Sequence, residues 1–289
     1  MKKLLIVLFI SISGLGFSQP EIVNGVNKYS TKNIHESDIM YQKYIWRALD
    51  LRERQNEPIF SKSKEITRAI IEAVKEGLIQ PWTSDSLEES KALTKEEFLE
   101  AIQIPSTEAE VTEEDLAFMQ NEADDWGSDF GDDGGGSSDA PAVPLNKVEY
   151  FFPKDLYQMQ IKENLVFDKQ RSVMYHDILA ITMLVPADHP DNIKGIELPI
   201  ASFSYKELKQ KVFTDNPNAI WYNPYNDAEH KSLADAFELR LFSSYIIKVS
   251  NPNDDYLVDI YGGDPKVGIM ASQWKEFELL EYEHNLWEF

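Results

Sequence analysis

The sequence predicts an α+β fold, in which mixed antiparallel strands and short helices are interrupted by a disordered acidic, glycine-rich insertion. Three observations lead to this prediction. Strand-like and helix-like segments alternate without the regular βαβ order of a doubly wound sheet. Two long strand-like segments flank a polar turn at residues 168–172, which indicates an antiparallel hairpin. The middle of residues 105–144 is rich in Gly, Ser, Asp and Pro, a composition typical of disorder.

The N-terminus has the pattern of a secretory signal peptide. Two lysines form a short positive region, an apolar run follows, and small residues precede an expected cleavage before Gln19. We therefore expect residues 1–18 to be removed on export and residues 19–37 to form a flexible N-terminal lead. The chain contains no Cys, which excludes disulfides and a lipid attached to a Cys at the cleavage site.

Acidic residues dominate the charge, with a formal net value of −22. A chain with this balance is a poor candidate for non-specific binding to nucleic acid or to anionic lipid. The acids are concentrated in the middle of the chain, because no Lys or Arg occurs between Lys95 and Lys147. We expect residues 105–144 to be a disordered acidic linker, and weak calcium binding by its aspartates stays open.

Residues 38–104 are expected to form the N-terminal part of the folded domain. A strand is predicted at residues 44–53, and a helix with Ser61 or Ser63 at its start ends at Gly77. A capping box at residues 94–97 predicts a second short helix. The apolar face of the first helix comprises Ile66, Ile70, Ala73 and Val74.

Residues 145–289 are expected to form the C-terminal part of the domain, which is richer in strands. Helices are predicted at residues 206–212, after Ser232 with Arg240 on its face, and at residues 267–280. The predicted strands cover residues 148–152, 158–167, 173–185, 219–222, 245–249 and part of 254–263.

No motif in the sequence supports an enzyme or a cofactor. The five histidines form no HExxH pair, and a chain without Cys cannot build a thiolate metal site. Ser61 and Lys64 have the S-x-x-K spacing of penicillin-binding enzymes, but the other motifs of that class are absent. A hydrolase that uses Ser61 and Lys64 is therefore only a third hypothesis.

Four tracts carry a resemblance to a known family: WRALDLRE at residues 46–53, FDKQRSVM at 167–174, FSSYIIK at 242–248 and EHNLWEF at 283–289. Together they resemble the GldN/PorN family of Bacteroidota. The resemblance extends from about residue 38 to the last residue, and the acidic segment looks like an addition to the usual pattern.

The resemblance implies a function that the residues alone do not. It implies a non-enzymatic structural subunit of a periplasmic ring in the type IX secretion system, which supports protein secretion and, in many relatives, gliding motility. The implied partners are an outer-membrane lipoprotein of the GldK/PorK type, a motor subunit of the GldM/PorM type, and copies of the chain itself. No cofactor is implied, and the implied location is the periplasm beneath the outer membrane.

Aromatic and charged residues are the expected anchors of such contacts. Three aromatic residues, Trp221, Tyr222 and Tyr225, lie around Pro224. The alternative function is a periplasmic glycan- or peptidoglycan-binding module, in which the same three residues form a stacking platform. The competing interpretation of the aromatic residues is core packing, and that of Asp168 to Arg171 is an ordinary hairpin turn. The candidate interface residues are Trp221, Tyr222, Tyr225, Asp168, Lys169, Arg171, Trp287 and Phe289.

Overall fold

A six-stranded antiparallel sheet forms the centre of the computed structural model, which describes residues 22–104 and 150–286. Two small hairpins, β1–β2 and β8–β9, accompany it, and the strand order in the sheet is β10-β3-β5-β6-β7-β4. The strands are β1 Ile22–Val23, β2 Val26–Asn27, β3 Ile39–Asp50, β4 Pro81–Trp82, β5 Gln158–Asp168, β6 Val173–Val185, β7 Leu198–Ser204, β8 Ile220–Trp221, β9 Lys231–Ser232 and β10 Tyr245–Val249.

The helices are short except for the last one. Four single 3-10 turns lie at Glu36–Asp38, Glu57–Ile59, Glu89–Lys91 and Pro153–Asp155. The described α-helices are α1 Ile66–Lys75, α2 Lys95–Ala101, α3 Tyr205–Leu208 with a π-helical continuation Lys209–Phe213, α4 Leu233–Glu238, α5 Leu257–Ile260 and α6 Pro265–Leu286.

One face of the sheet carries two separate apolar clusters, and strand β5 runs through both. Because side chains alternate along a strand, its odd-numbered residues point to the same face. Met159 and Ile161 belong to the main core, which also takes in α1, α2, α3 and α4. Leu165 and Phe167 belong to a second cluster beneath α6. Glu163, fully buried, lies between them.

The opposite face of the sheet is covered in part by the segment before β3. Thr31 donates hydrogen bonds from its backbone and its hydroxyl to the buried Asp177 on β6, at 3.2 and 2.9 Å. Tyr29 donates its hydroxyl to the Leu87 carbonyl at 2.5 Å. Part of the stretch expected to be a flexible lead therefore forms the β1–β2 hairpin and a loop with specific contacts to the domain.

The predicted α+β class is confirmed, and several predicted elements coincide with observed ones. Strands β6 and β10 have the predicted bounds. The capping box at α2 is present in both directions, since Thr94 and Glu97 each accept the other's backbone N–H. Gly77 adopts a φ of +73°, as expected for the residue that ends α1. The signal peptide and the acidic segment 105–144 lie outside the described residues.

Four predicted details are wrong. Helix α1 begins at Ile66 after Glu65, so neither Ser61 nor Ser63 caps it. Tyr150 makes only an isolated bridge with Gln103 instead of a strand. The strand predicted within residues 254–263 is helix α5 instead. The spacing of its apolar residues fits one helical turn as well as a strand. Arg240 lies beyond the end of α4, at a φ of +53°.

Candidate functional site

Helix α6 is held against the sheet by a tight approach to α5. Gly262 and Gly263 turn the chain at positive φ, and Asp264 then accepts the backbone N–H of Lys266 at 2.9 Å. A Cβ added at Gly268 would meet Cγ2 of Val258 at 2.5 Å. Glycine is therefore required where α5 and α6 are closest.

The inner face of α6 closes the second cluster. Ala271 is buried there, and Leu279 and Leu286 pack against the cluster from the same face of the helix. This spacing of seven or eight residues is the one that aligns side chains along a helix. The inner face thus explains why the helix stays on the sheet.

The outer face of α6 is also apolar, whereas the outer face of a surface helix normally carries polar and charged residues. Of the twenty exposed large hydrophobic residues in the described part of the chain, ten lie between Tyr256 and Tyr282. We call the five exposed by more than half on α6 the outer stripe: Ile269 (56%), Met270 (69%), Trp274 (69%), Phe277 (70%) and Leu280 (62%). Exposed apolar patches of this kind mark protein contacts.

A buried charge network ties α6 to the sheet beside this stripe. Arg47 on β3 donates to Oε2 of Glu163 at 3.1 Å and to Oε1 of Glu276 on α6 at 2.8 Å. Arg240 donates to Oε1 of Glu163 at 2.7 Å, and Nδ1 of His176 lies 3.5 Å from Oε2. The network separates the main core from the second cluster and contacts the middle of α6 through Glu276.

The electrostatics of Glu163 favour its charged form. Burial by itself raises the pKa of this carboxyl, but His176, Arg240 and Arg47 outweigh burial and lower the pKa from 4.5 to about 2. A carboxylate that is ionised and held by two guanidinium groups can act as a structural anchor.

The three residues of the predicted aromatic cluster differ in exposure. Trp221 packs partly buried against the main core. Tyr222 is 41% exposed, donates to Asp227 at 3.1 Å and lies with its ring 4.7 Å from that of His230. Tyr225 is 94% exposed. The two tyrosines are therefore the more exposed members of the cluster.

The predicted hairpin charges divide into a structural and an exposed part. Asp168 is fully buried and accepts the backbone N–H of Gln170 at 2.8 Å and of Arg171 at 3.2 Å. Its other carboxylate oxygen accepts a hydrogen bond from Nη1 of Arg171 at 2.7 Å. Burial raises the pKa of Asp168, but Arg171 and the two N–H groups lower it below its ordinary value overall. Lys169 and the outer part of Arg171 stay exposed.

The candidate residues do not converge on one place. Strand β3 pairs Ile39 with Asp168 at one end and Asp50 with Gln158 at the other. Tyr222 bonds to the carbonyl of Pro58, just beyond the second end. The hairpin and the tyrosines therefore lie towards opposite ends of β3, whose twelve residues extend over roughly 35–40 Å. Trp287 and Phe289 lie outside the described residues.

The Ser61 and Lys64 pair lacks the helical geometry of the S-x-x-K motif. Both residues precede α1, and the backbone N–H of Lys64 bonds to the Ser61 carbonyl at 2.9 Å in a turn. Residues 22–104 and 150–286 contain no group of three or more acidic or histidine side chains placed to hold a metal. In the same ranges, no helix is long and apolar enough to cross a membrane.

The sequence could have revealed the outer stripe. Residues 267, 270, 274 and 277 are apolar at alternating spacings of three and four, beside a second apolar face that includes Ala271 and Leu279. A helix that is apolar on two faces indicates two contacts, one with its own domain and one elsewhere.

The family model described as gliding motility associated protein GldN matches residues 34–288, and no curated protein matches the chain. The matched range includes the whole six-stranded sheet, the charge network and α6.

Proposed function

Because this chain belongs to the GldN family of gliding motility associated proteins, we propose that it is a non-enzymatic structural subunit of a periplasmic ring in the type IX secretion system. The ring contains copies of this chain and an outer-membrane lipoprotein of the GldK/PorK type. It lies beneath the outer membrane and contacts a motor subunit of the GldM/PorM type. It supports protein secretion and, in gliding organisms, motility.

The observation that carries the proposal is the extent of the family match, which runs from residue 34 to residue 288. A match of this length includes every strand of the sheet, so it concerns the whole domain and not a shared local motif. Membership of a gliding-motility family agrees with a protein that assembles with other proteins through its surface.

The surface chemistry supports an assembly role. The exposed apolar residues are concentrated at α5 and α6, and the tyrosines at Tyr222 and Tyr225 form a separate aromatic site. A subunit of a ring needs two different patches, because heterologous contacts join unlike surfaces of successive copies. Aromatic side chains at such patches contribute most of the binding free energy.

A clean deletion strain tests the proposal. We expect the deletion to abolish secretion of cargo proteins that bear the type IX C-terminal signal, and the intact chain supplied from a plasmid to restore it. Ser61→Ala is the matched control for the hydrolase alternative, and we expect it to complement fully. Normal secretion in the deletion strain, with no paralogue present, would overturn the proposal.

Cell fractionation tests the tether. We expect the chain to sediment with outer membranes when the lipoprotein is present and to move to the periplasmic fraction when the lipoprotein gene is deleted. Sedimentation with outer membranes in the absence of the lipoprotein would contradict this part of the proposal.

A further inference from the structure

We infer that the outer stripe of α6 binds the same stripe on a second copy of this chain, with the two helices antiparallel. This inference goes beyond the proposed ring and does not depend on it. A two-fold contact of this kind closes on itself, so it would join two subunits without extending a ring. Ring contacts would then use the exposed residues around α5, which are Tyr256, Ile260 and Tyr261, and the separate site at Tyr222 and Tyr225.

The first argument is the exposed area. Five side chains, two of them aromatic, offer on the order of 600 Å² of apolar surface, which is the upper end for a monomer. Burial of this area on both copies would hide roughly 1,200 Å² in total, the lower limit of a specific interface. The outer stripe is therefore large enough to form a two-copy contact without help from another surface.

The second argument is the distribution of charge along α6. Lys275 is paired with Glu278 and Glu276 with Arg47 inside the chain, so these charges are already used. Lys266 in the first half of the helix and Glu281 in the second half are exposed. An antiparallel pair sets Lys266 of each helix against Glu281 of the other, whereas a parallel pair would set like charges against each other.

The third argument is the placement of individual residues about a crossing point within the outer stripe. If the two helices cross between Gln273 and Trp274, Met270 of one copy lies level with Phe277 of the other. Lys266 then lies level with Glu281 of the second copy, and both side chains are exposed in the single chain. Sulfur–aromatic and opposite-charge contacts are both favourable. The stripe is thus complementary to itself, as a two-fold contact requires.

Sedimentation of residues 19–289 tests the association. We expect a reversible dimer at roughly 100 µM, since interfaces of this size are typically micromolar. The double variant Met270→Ser/Phe277→Ser should weaken the dimer at least tenfold, and it should unfold in urea at nearly the same midpoint, because both side chains are exposed. The matched control Tyr222→Ser/Tyr225→Ser should leave the dimer unchanged. A wild-type monomer at this concentration would overturn the inference.

Charge reversal tests the pairing. Lys266→Glu should weaken the dimer, and the double variant Lys266→Glu/Glu281→Lys should restore it. Failure of the second change to restore association would contradict the antiparallel pairing of these two positions.

Cross-linking tests the orientation. Because the chain contains no Cys, only the introduced Cys residues react with a maleimide. We mix Lys266→Cys with Glu281→Cys and add a bismaleimide with a reach of about 10 Å, the separation of packed helices. The antiparallel pair predicts a cross-linked heterodimer, whereas Lys266→Cys alone should link poorly because its two copies are about 22 Å apart along the axis. Asp215→Cys serves as an exposed control. Efficient linking of Lys266→Cys to itself would overturn the orientation, and linking of the control as efficient as that of the mixture would overturn the inference.

Discussion

Arg47 in the sheet donates a 2.8 Å hydrogen bond to Glu276 in the last helix, and this contact joins the two halves of the described chain. Arg47 belongs to the stretch before the acidic segment, and α6 ends the described residues. The same guanidinium also bonds to the buried Glu163, so a charge network inside the domain extends to the surface of α6. The predictions below test this network and the packing around it.

Removal of the charge at Glu163 should destabilise the domain strongly. Glu163→Gln leaves Arg47 and Arg240 facing a neutral group, and loss of one partner from a buried ion pair costs about 3–5 kcal/mol. Glu276→Gln is the matched control, because Glu276 is 44% exposed and such pairs contribute about 1 kcal/mol or less. Urea unfolding measures both free energies, and equal losses would contradict the network.

The contribution of Glu163 should depend on pH in a defined direction. Its folded pKa, about 2, lies below its ordinary value of 4.5, so its charge stabilises the fold above pH 4.5. This stabilisation, on the order of 3 kcal/mol, should disappear as the pH falls from 4.5 towards 2. The difference in unfolding free energy between the wild type and Glu163→Gln should shrink over that range. A difference that stays constant would show that the pKa of Glu163 is not lowered by folding.

Asn56 should be essential for the link between the end of β3 and the start of β10. Its amide group donates to the Asp50 carbonyl at 2.7 Å and to the Ser243 carbonyl at 3.0 Å, and its oxygen accepts the Ser243 N–H at 2.7 Å. Asn56→Ala should cost about 2–3 kcal/mol, because it removes a fully buried side chain and leaves three partly buried backbone groups without their partner.

Asn56→Asp should cost at least as much as Asn56→Ala, since it replaces the donor with a charge that faces two carbonyls. Thermal and urea unfolding measure both variants. A milder effect of Asp than of Ala would mean that the donated hydrogen bonds contribute little.

Gly268 should be required for the contact between α5 and α6. Gly268→Val puts a branched side chain against Val258, and overpacking costs about 1–3 kcal/mol. Helix propensity by itself favours Val over Gly, so a loss must come from the collision. Val258→Ala, combined with Gly268→Val, should recover part of the loss. Gln273→Val, on the exposed side of the same helix, is the control and should change the unfolding free energy by less than about 0.5 kcal/mol.

Local sequence patterns predicted the elements that depend on local chemistry. The β-branched run of β10 and the polar turn between β5 and β6 determine their structure within a few residues, and the capping box does the same for α2. Strand β7, Leu198–Ser204, was missed, because its two small serines break the expected pattern and its pairing with β6 is set by the fold.

The candidate site could be predicted only in part. The aromatic residues near Pro224 are visible in the sequence, but whether Trp221 faces the core depends on the packing of β8 against residues far along the chain. Glu163 gives no local signal, since its partners Arg47, His176 and Arg240 come from three distant segments. The sequence predicts helix α6 and contains both of its apolar faces, but which face packs on the sheet is decided by tertiary contacts.

The central claim is that this chain is an assembly subunit, and purification from cell envelopes tests it most directly. The tagged chain is purified from detergent-solubilised envelopes, and the particles are imaged by negative stain. We expect ring-shaped particles that contain this chain and an outer-membrane lipoprotein in reproducible proportion. Recovery of the chain alone, as a small particle without the lipoprotein, would contradict the claim.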